Sequence, residues 1–195
     1  MIYSCNNLEK NDIYKLMSNL VIPRPIAWVS TKSNSNILNL APFSYFIPLS
    51  SSPATLLISI GHKKDGKPKD TLKNLRDTKK CSIVIATTNQ VKSMHISATP
   101  LDYNVSEFKE FNIQNESINS LYPDTPKGSK VIFFCEYLQE VELKGSQTIP
   151  VVVEVKEIFI DDSLITNKES IKISFKDAIA RVGATYFALG KELEV

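Results

Sequence analysis

The chain has 195 residues, 43% of them hydrophobic, with 23 basic against 21 acidic side chains and a formal net charge of +2. A chain of this size buries about 70% of its unfolded surface, enough for one substantial core without disulfides or a structural metal. The balanced charge leaves no basic field for nucleic acid or an anionic membrane, and no apolar run nears the ~18 residues of a membrane span. Met1–Lys10 lacks the apolar stretch of a signal peptide, so the expected location is the cytoplasm. Cys5, Cys81 and Cys135 form no CxxC pair, and His62 and His95 stand at no ligand spacing. Neither a disulfide framework nor a metal site is expected.

Ile13, Leu16, Met17 and Leu20 recur at helical spacing over 11–20, with Asn11 or Asp12 as the cap, and Pro23 and Pro25 end that helix. Ile26–Thr31 reads as a buried strand and Lys32–Asn36 as a turn in which Asn34 or Asn36 accepts a positive φ. Ile37–Ile47 reads as one strand, placed by Pro42 at an edge or a bulge. Pro48–Pro53 is expected as a loop and Ala54–Gly61 as a third strand. After the polar stretch His62–Pro68, Asp70–Thr78 predicts a short helix, Cys81–Thr87 a strand and Asn89–His95 a helix. Asn104–Phe111 allows one helical turn, and Asn112–Lys130 is a long polar connection. Lys130–Leu143 and Thr148–Ile160 alternate apolar and polar residues about Lys144–Gly145–Ser146, a hairpin pattern. The tail Ile171–Glu194 predicts a short strand and a loop around Arg181–Gly183. Long alternating runs favour an antiparallel sheet, which closes into a barrel readily. The doubly wound alternative requires a glycine-rich first turn, and no GxGxxG occurs. The pattern therefore predicts a single, mainly β domain over 1–195, with short helical insertions and a barrel over about 25–187.

Four segments carry polar residues that a core alone does not require. Arg24–Pro25–Ile26–Ala27–Trp28–Val29–Ser30–Thr31 sets a cation at the start of a buried strand and two hydroxyls at its end. In Asn39–Leu40–Ala41–Pro42–Phe43–Ser44–Tyr45–Phe46, Pro42 denies the ladder a donor and frees backbone groups for a planar ligand. Lys69–Asp70–Thr71–Leu72–Lys73–Asn74 puts a cation just before a helix start. The fourth is Ala180–Arg181–Val182–Gly183–Ala184–Thr185–Tyr186.

These segments, in this order and with the Glu107–Phe108 pair between the third and fourth, resemble the flavin reductase-like family. The resemblance spans about Tyr14 to Tyr186. It implies an antiparallel, Greek-key-like FMN-binding split β-barrel, a homodimer, and either an NAD(P)H-dependent flavin reductase or a flavoredoxin-like electron carrier with a redox-protein partner. FMN is the implied cofactor and NAD(P)H the transient electron donor. The residues matching the motifs are Arg24, Pro25, Ile26, Ala27, Ser30, Thr31, Asn39, Leu40, Ala41, Pro42, Phe43, Ser44, Lys69, Asp70, Thr71, Asn74 and Arg181. Where the family often has Gly-Glu-Val and then a histidine near an Asp pair, this chain has Val153–Glu154–Val155, with Phe159 before Asp161–Asp162.

A phosphate dianion needs donors and positive charge. Ser30 and Thr31 offer hydroxyls, Lys69 a cation, and the amides of Asp70 and Thr71 a helix N-terminus. Asp70 itself would repel phosphate, and its expected role is to cap the helix and orient Lys69. Arg24 and Lys69 are the candidate cations beside a reduced flavin. Trp28, Phe43, Tyr45 and Phe46 are expected in core and dimer packing, and Cys81 and Cys135 as inert core thiols. A barrel serving purely as an interaction module is the third reading, and it predicts no ligand at these segments.

Overall fold

The computed structural model describes residues 1–191 and residue 193. The end of the expected tail, Glu194, lies outside the described residues, as do Glu192 and Val195. In chain order the elements are α1 (Lys10–Leu20), β1 (Ala27–Lys32), β2 (Leu38–Phe43), β3 (Phe46–Ser51), β4 (Ala54–Gly61), α2 (Asp70–Thr78), β5 (Lys80–Val84), α3 (Val91–Ile96) and α4 (Glu107–Glu110). There follow β6 (Asn115–Glu116), β7 (Thr125–Pro126), β8 (Val131–Glu140), β9 (Thr148–Ile160), β10 (Ile165–Asn167), β11 (Lys172–Ile173), β12 (Ile179–Val182) and β13 (Thr185–Ala188). Among the described residues no helix is long and apolar enough to cross a membrane.

Seven strands form one curled antiparallel sheet, a half-barrel in the order β2-β1-β5-β8-β9-β4-β3. Its two edges, β2 and β3, are joined by Ser44–Tyr45. The single strand expected over Ile37–Ile47 is thus two strands. Pro42 lies on edge strand β2, opposite Trp28, where its missing N–H costs the ladder nothing. The loop expected at Pro48–Pro53 is also corrected, because β3 runs on to Ser51. Its register slips between Pro48 and Ser50, so the proline is absorbed at an edge irregularity. Asn36 takes the positive φ of 62° in the first turn. The β8–β9 hairpin forms as the alternation predicts, about Gly145 at φ 80°.

Strand alternation sends the sheet's side chains into two cores. Ala27, Val29, Phe43, Phe46, Ile58, Leu72, Leu75, Ile83 and Val151 pack inside the curl under α2. Ile26, Trp28, Leu40, Val84, Met94, Phe108 and Ile132 pack on the opposite face, under α3 and α4. Cys81 and Cys135 face each other across β5 and β8 as free, fully buried thiols, and burial pushes the Cys135 thiol well up.

The loop expected around Arg181–Gly183 is instead strand β12, with Gly183 in the turn to β13. Gly183 has φ 54°, a conformation that favours glycine, and a Cβ there would stand 2.4 Å from the side-chain Oδ1 of Asn19 on α1, which would have to shift. Arg24 ties the same corner. Its guanidinium donates to the backbone carbonyl of Ser18 and, at 3.2 Å, to that of Gly183, while its backbone pairs with Arg181.

Candidate functional site

At its N-terminal end α2 follows directly on Pro68, and its N-cap position is Lys69, in an extended conformation. Among the described residues no side chain caps it. Asp70 was expected to cap, but it is the first residue inside the helix, where its carboxylate accepts from no first-turn amide. It pairs instead with Lys63 at 2.5 Å. The uncapped amides therefore keep their partial positive charge. Lys69 lies beside them with its ammonium 5.6 Å from the centre of the Phe43 ring and in no ion pair among the described residues. Its side chain stays open to solvent, yet the surrounding protein removes enough water from the ammonium to lower its pKa.

This helix start opens on a cavity of about 510 Å³, within the range that holds small-molecule ligands. One wall comes from Asn39 and Ala41 on β2, the opposite one from the His62–Asp65 loop, and the end from Ser97–Leu101 and Glu107. Trp28 fixes that end, because its buried Nε1 donates to Ser97 Oγ at 2.9 Å.

Behind the wall runs a buried polar network centred on Asn39. Its Oδ1 accepts from Thr71 Oγ1 at 2.9 Å and from Thr31 Oγ1 at 3.3 Å, and Thr31 Oγ1 in turn accepts from Asn74 Nδ2 at 3.1 Å. Asn39 Nδ2 donates to Glu107 Oε1 at 2.9 Å, and the Leu40 amide donates to Glu107 Oε2 at 2.8 Å. Glu107 is buried and faces no cation in this network. Burial raises its pKa, and Asp70 adds to the rise, against these two donors.

The end of β1 and the start of α2 thus meet, through Asn39. Not all of the expected groups reach the cavity. Adjacent residues on a strand point to opposite faces, so Ser30 and Thr31 cannot serve one ligand together. Thr31 is spent inside the network. Ser30 lies on the other face, fully buried, with an Oγ that has no partner. Of the seventeen residues the sequence suggests, Asn39, Ala41, Lys69, Asp70 and Thr71 line the cavity. Asn74 and Leu40 support it from behind, and Phe43 underlies Lys69. Ala27 and Ile26 are core residues, Pro42 is half-buried opposite Trp28, and Pro25 is exposed. Arg24, Ser44 and Arg181 belong to the α1 corner: Arg24 Nε donates to Ser44 Oγ at 3.4 Å, and the Arg181 guanidinium lies 4.4 Å over Tyr186. Arg24 is therefore engaged away from this cavity.

The sequence reading missed His62–Asp65 and Ser97–Leu101 as walls. The first carries a signal, a basic polar stretch directly before the Lys69 helix start. The second carries none, since small residues and Pro100 look like any loop.

The curled sheet, open between β2 and β3 and bearing a cofactor-sized cavity at the β2 edge, defines a split barrel. Residues 17–171 match the family described as flavin reductase like domain, and the chain belongs to that family. It is similar to an uncharacterized protein of Aquifex aeolicus, 30% identical over 190 residues that cover 96% of this chain and 94% of the relative. Among solved structures it resembles nitrilotriacetate monooxygenase component B from Bacillus cereus (TM-score 0.91, 24% identity, 100% of this chain and 98% of the other). It also resembles the flavoredoxin of Desulfovibrio vulgaris (Miyazaki F), with TM-score 0.77 and 14% identity over 100% and 97% of the two chains. At these identities the structural likeness speaks for the fold.

Proposed function

We propose that this protein is an FMN-binding oxidoreductase that takes reducing equivalents from NAD(P)H and passes them to free flavin or another acceptor. One observation carries the reading. An ammonium in no ion pair and an uncapped helix start converge on one end of a cavity of about 510 Å³, in a chain of the flavin reductase-like family. The residues present fit FMN. Lys69 and the amides of Asp70 and Thr71 would hold the phosphate, with Asp70 already neutralised by Lys63. Asn39 supplies fixed polar edges, while Ala41, Ala98, Pro100 and Leu101 supply the apolar surface a flat ring requires.

Bound FMN supplies the hydride chemistry, and no side chain need act as acid or base. The chain's contribution is orientation. Thr31, Thr71 and Glu107 lock the Asn39 carboxamide, and Asn74 holds Thr31 in turn, so the carboxamide is aligned before a ligand arrives. Trp28 holds the Ser97–Leu101 wall in the same way.

A homodimer is part of this proposal. α1 and the segment after it expose Tyr14, Met17, Leu20, Val21 and Ile22, and edge strand β3 exposes Ile47 and Leu49. Apolar surface on this scale suits a partner copy. A cytoplasmic setting suits its three free cysteines.

Flavin absorbance in the protein as isolated, or after adding FMN, tests the first step. A protein that stays colourless and ignores FMN would remove the reading. A second reading, an electron carrier without nicotinamide chemistry, is favoured by Phe159. Where the resemblance leads one to expect a histidine, this ring packs against the second core and offers no polar group. Anaerobic mixing with NADH and NADPH separates the two, since bleaching of bound flavin on the turnover timescale requires the enzyme.

A further inference from the structure

The His62–Lys64 segment is a wall shared by two cavities. Behind the candidate FMN cavity lies a second one, of about 500 Å³, lined by Lys10, His62, Lys63 and Lys64 and closed by Gly61, Gly66 and Ser146–Thr148. None of its described lining residues is acidic. The nearest carboxylates on the same loop are already committed, Asp65 to Lys67 at 3.2 Å and Asp70 to Lys63. Lys64 is in no ion pair among the described residues. Lys10 reaches across the cavity to the side-chain oxygen of Gln147, which ties α1 to the β8–β9 turn. His62 Nδ1 lies 2.9 Å from the Gln147 carbonyl, so it carries the proton and donates. Lys63 is already balanced by Asp70, but the Lys10 and Lys64 ammonium groups share this cavity with no acidic lining residue, and they repel one another unless an anion joins them.

We propose that this second cavity is a subsite for a phosphomonoester dianion, and that its ligand is the 2′-phosphate of a nucleotide electron donor, making the protein selective for NADPH over NADH. The inference rests on the oxidoreductase reading above. The contiguity of the two cavities supports it, because one donor can lay its nicotinamide toward the first and its phosphorylated ribose into the second. NADPH carries a dianion where NADH carries a neutral 2′-hydroxyl, so the lysines attract one and not the other, which is the physical basis of the selectivity.

The test is a titration of the FMN-loaded protein with NADP⁺, NAD⁺, 2′-AMP and inorganic phosphate, in wild type and in two variants. Lys10 lines the second cavity but not the first, and glutamate at the first position of a helix suits the dipole, so Lys10→Glu is expected to fold and to bind FMN unchanged. Wild type is expected to bind NADP⁺ about tenfold more tightly than NAD⁺, and Lys10→Glu and Lys64→Gln to bring that ratio close to one. 2′-AMP should displace NADP⁺, and inorganic phosphate at the same concentration should not. Equal affinities for the two nucleotides in wild type, a preference that survives both substitutions, or equal displacement by inorganic phosphate would each overturn the proposal. FMN retention is read separately from visible absorbance. Loss of flavin binding would therefore count against the oxidoreductase reading, and lost nucleotide selectivity with flavin retained would count against this inference.

Discussion

Lys69→Ala separates the phosphate from the rest of the flavin. The Lys69 ammonium stands beside the uncapped first turn of α2 and forms no ion pair among the described residues, so its removal breaks no existing salt bridge. A unit charge pair at about 4 Å is worth about 1 kcal/mol in water-like surroundings and about 4 kcal/mol at an effective dielectric constant near 20. Because Lys69 is exposed, the water-like end applies, which gives about 2 kcal/mol for a dianion before salt screening. FMN should therefore bind about 30-fold more weakly to Lys69→Ala, while riboflavin, which lacks the phosphate, should bind as it does to wild type. Fluorescence quenching of each flavin on titration with protein measures both constants, and raising the ionic strength should shrink the difference. Equal losses for FMN and riboflavin, or no loss for either, would refute the placement of the phosphate at the α2 start.

The same ammonium predicts a pH effect. Its pKa is lowered by desolvation, so FMN affinity should fall as pH rises through a value below the usual lysine range, and Lys69→Ala should lose this dependence in a fluorescence titration across alkaline pH. Glu107 has the opposite linkage to folding. Its raised native pKa means the folded chain holds a proton that the unfolded chain has released, so stability should fall as pH climbs from about 4.5 to that native value; urea melts across this interval should show the slope in wild type and not in Glu107→Gln. Glu107→Leu leaves the Leu40 amide and the Asn39 carboxamide without an acceptor, a loss of about 1–3 kcal/mol for each group, read as a lowered denaturation midpoint with a looser grip on FMN. Gly183→Ala forces a side chain onto a φ of 54° and pushes Asn19 Oδ1 away, costing about 1–2 kcal/mol, and thermal melts should show no rescue by Asn19→Ala if backbone strain dominates.

Local chemistry alone determined much of this protein. The β4 and α2 boundaries follow from alternation and from a short helical run after Pro68, because both signals act within a few residues. Pro42 announced an edge or a bulge for the same reason, since a missing donor is a property of one residue, and the sheet made it an edge. The motif order pointed to the family, and the start of α2 and Asn39 followed with it. Pairing and facing were decided in three dimensions. Ser30 and Thr31 are equivalent as sequence neighbours, and the sheet alone sends one into the network around Asn39 and strands the other in the opposite core. Asp70 looks like a cap until Lys63, seven residues earlier, is folded back against it. Arg24 looks like a free cation until the α1 carbonyl of Ser18 and the distant Gly183 turn close around it. Each of these outcomes depends on a partner brought up from another element or loop, six to eight residues away for Ser18, Lys63 and Asn39 and 159 for Gly183. Burial makes their hydrogen bonds obligatory, so the partner a buried polar side chain finds, rather than its type, sets what it does.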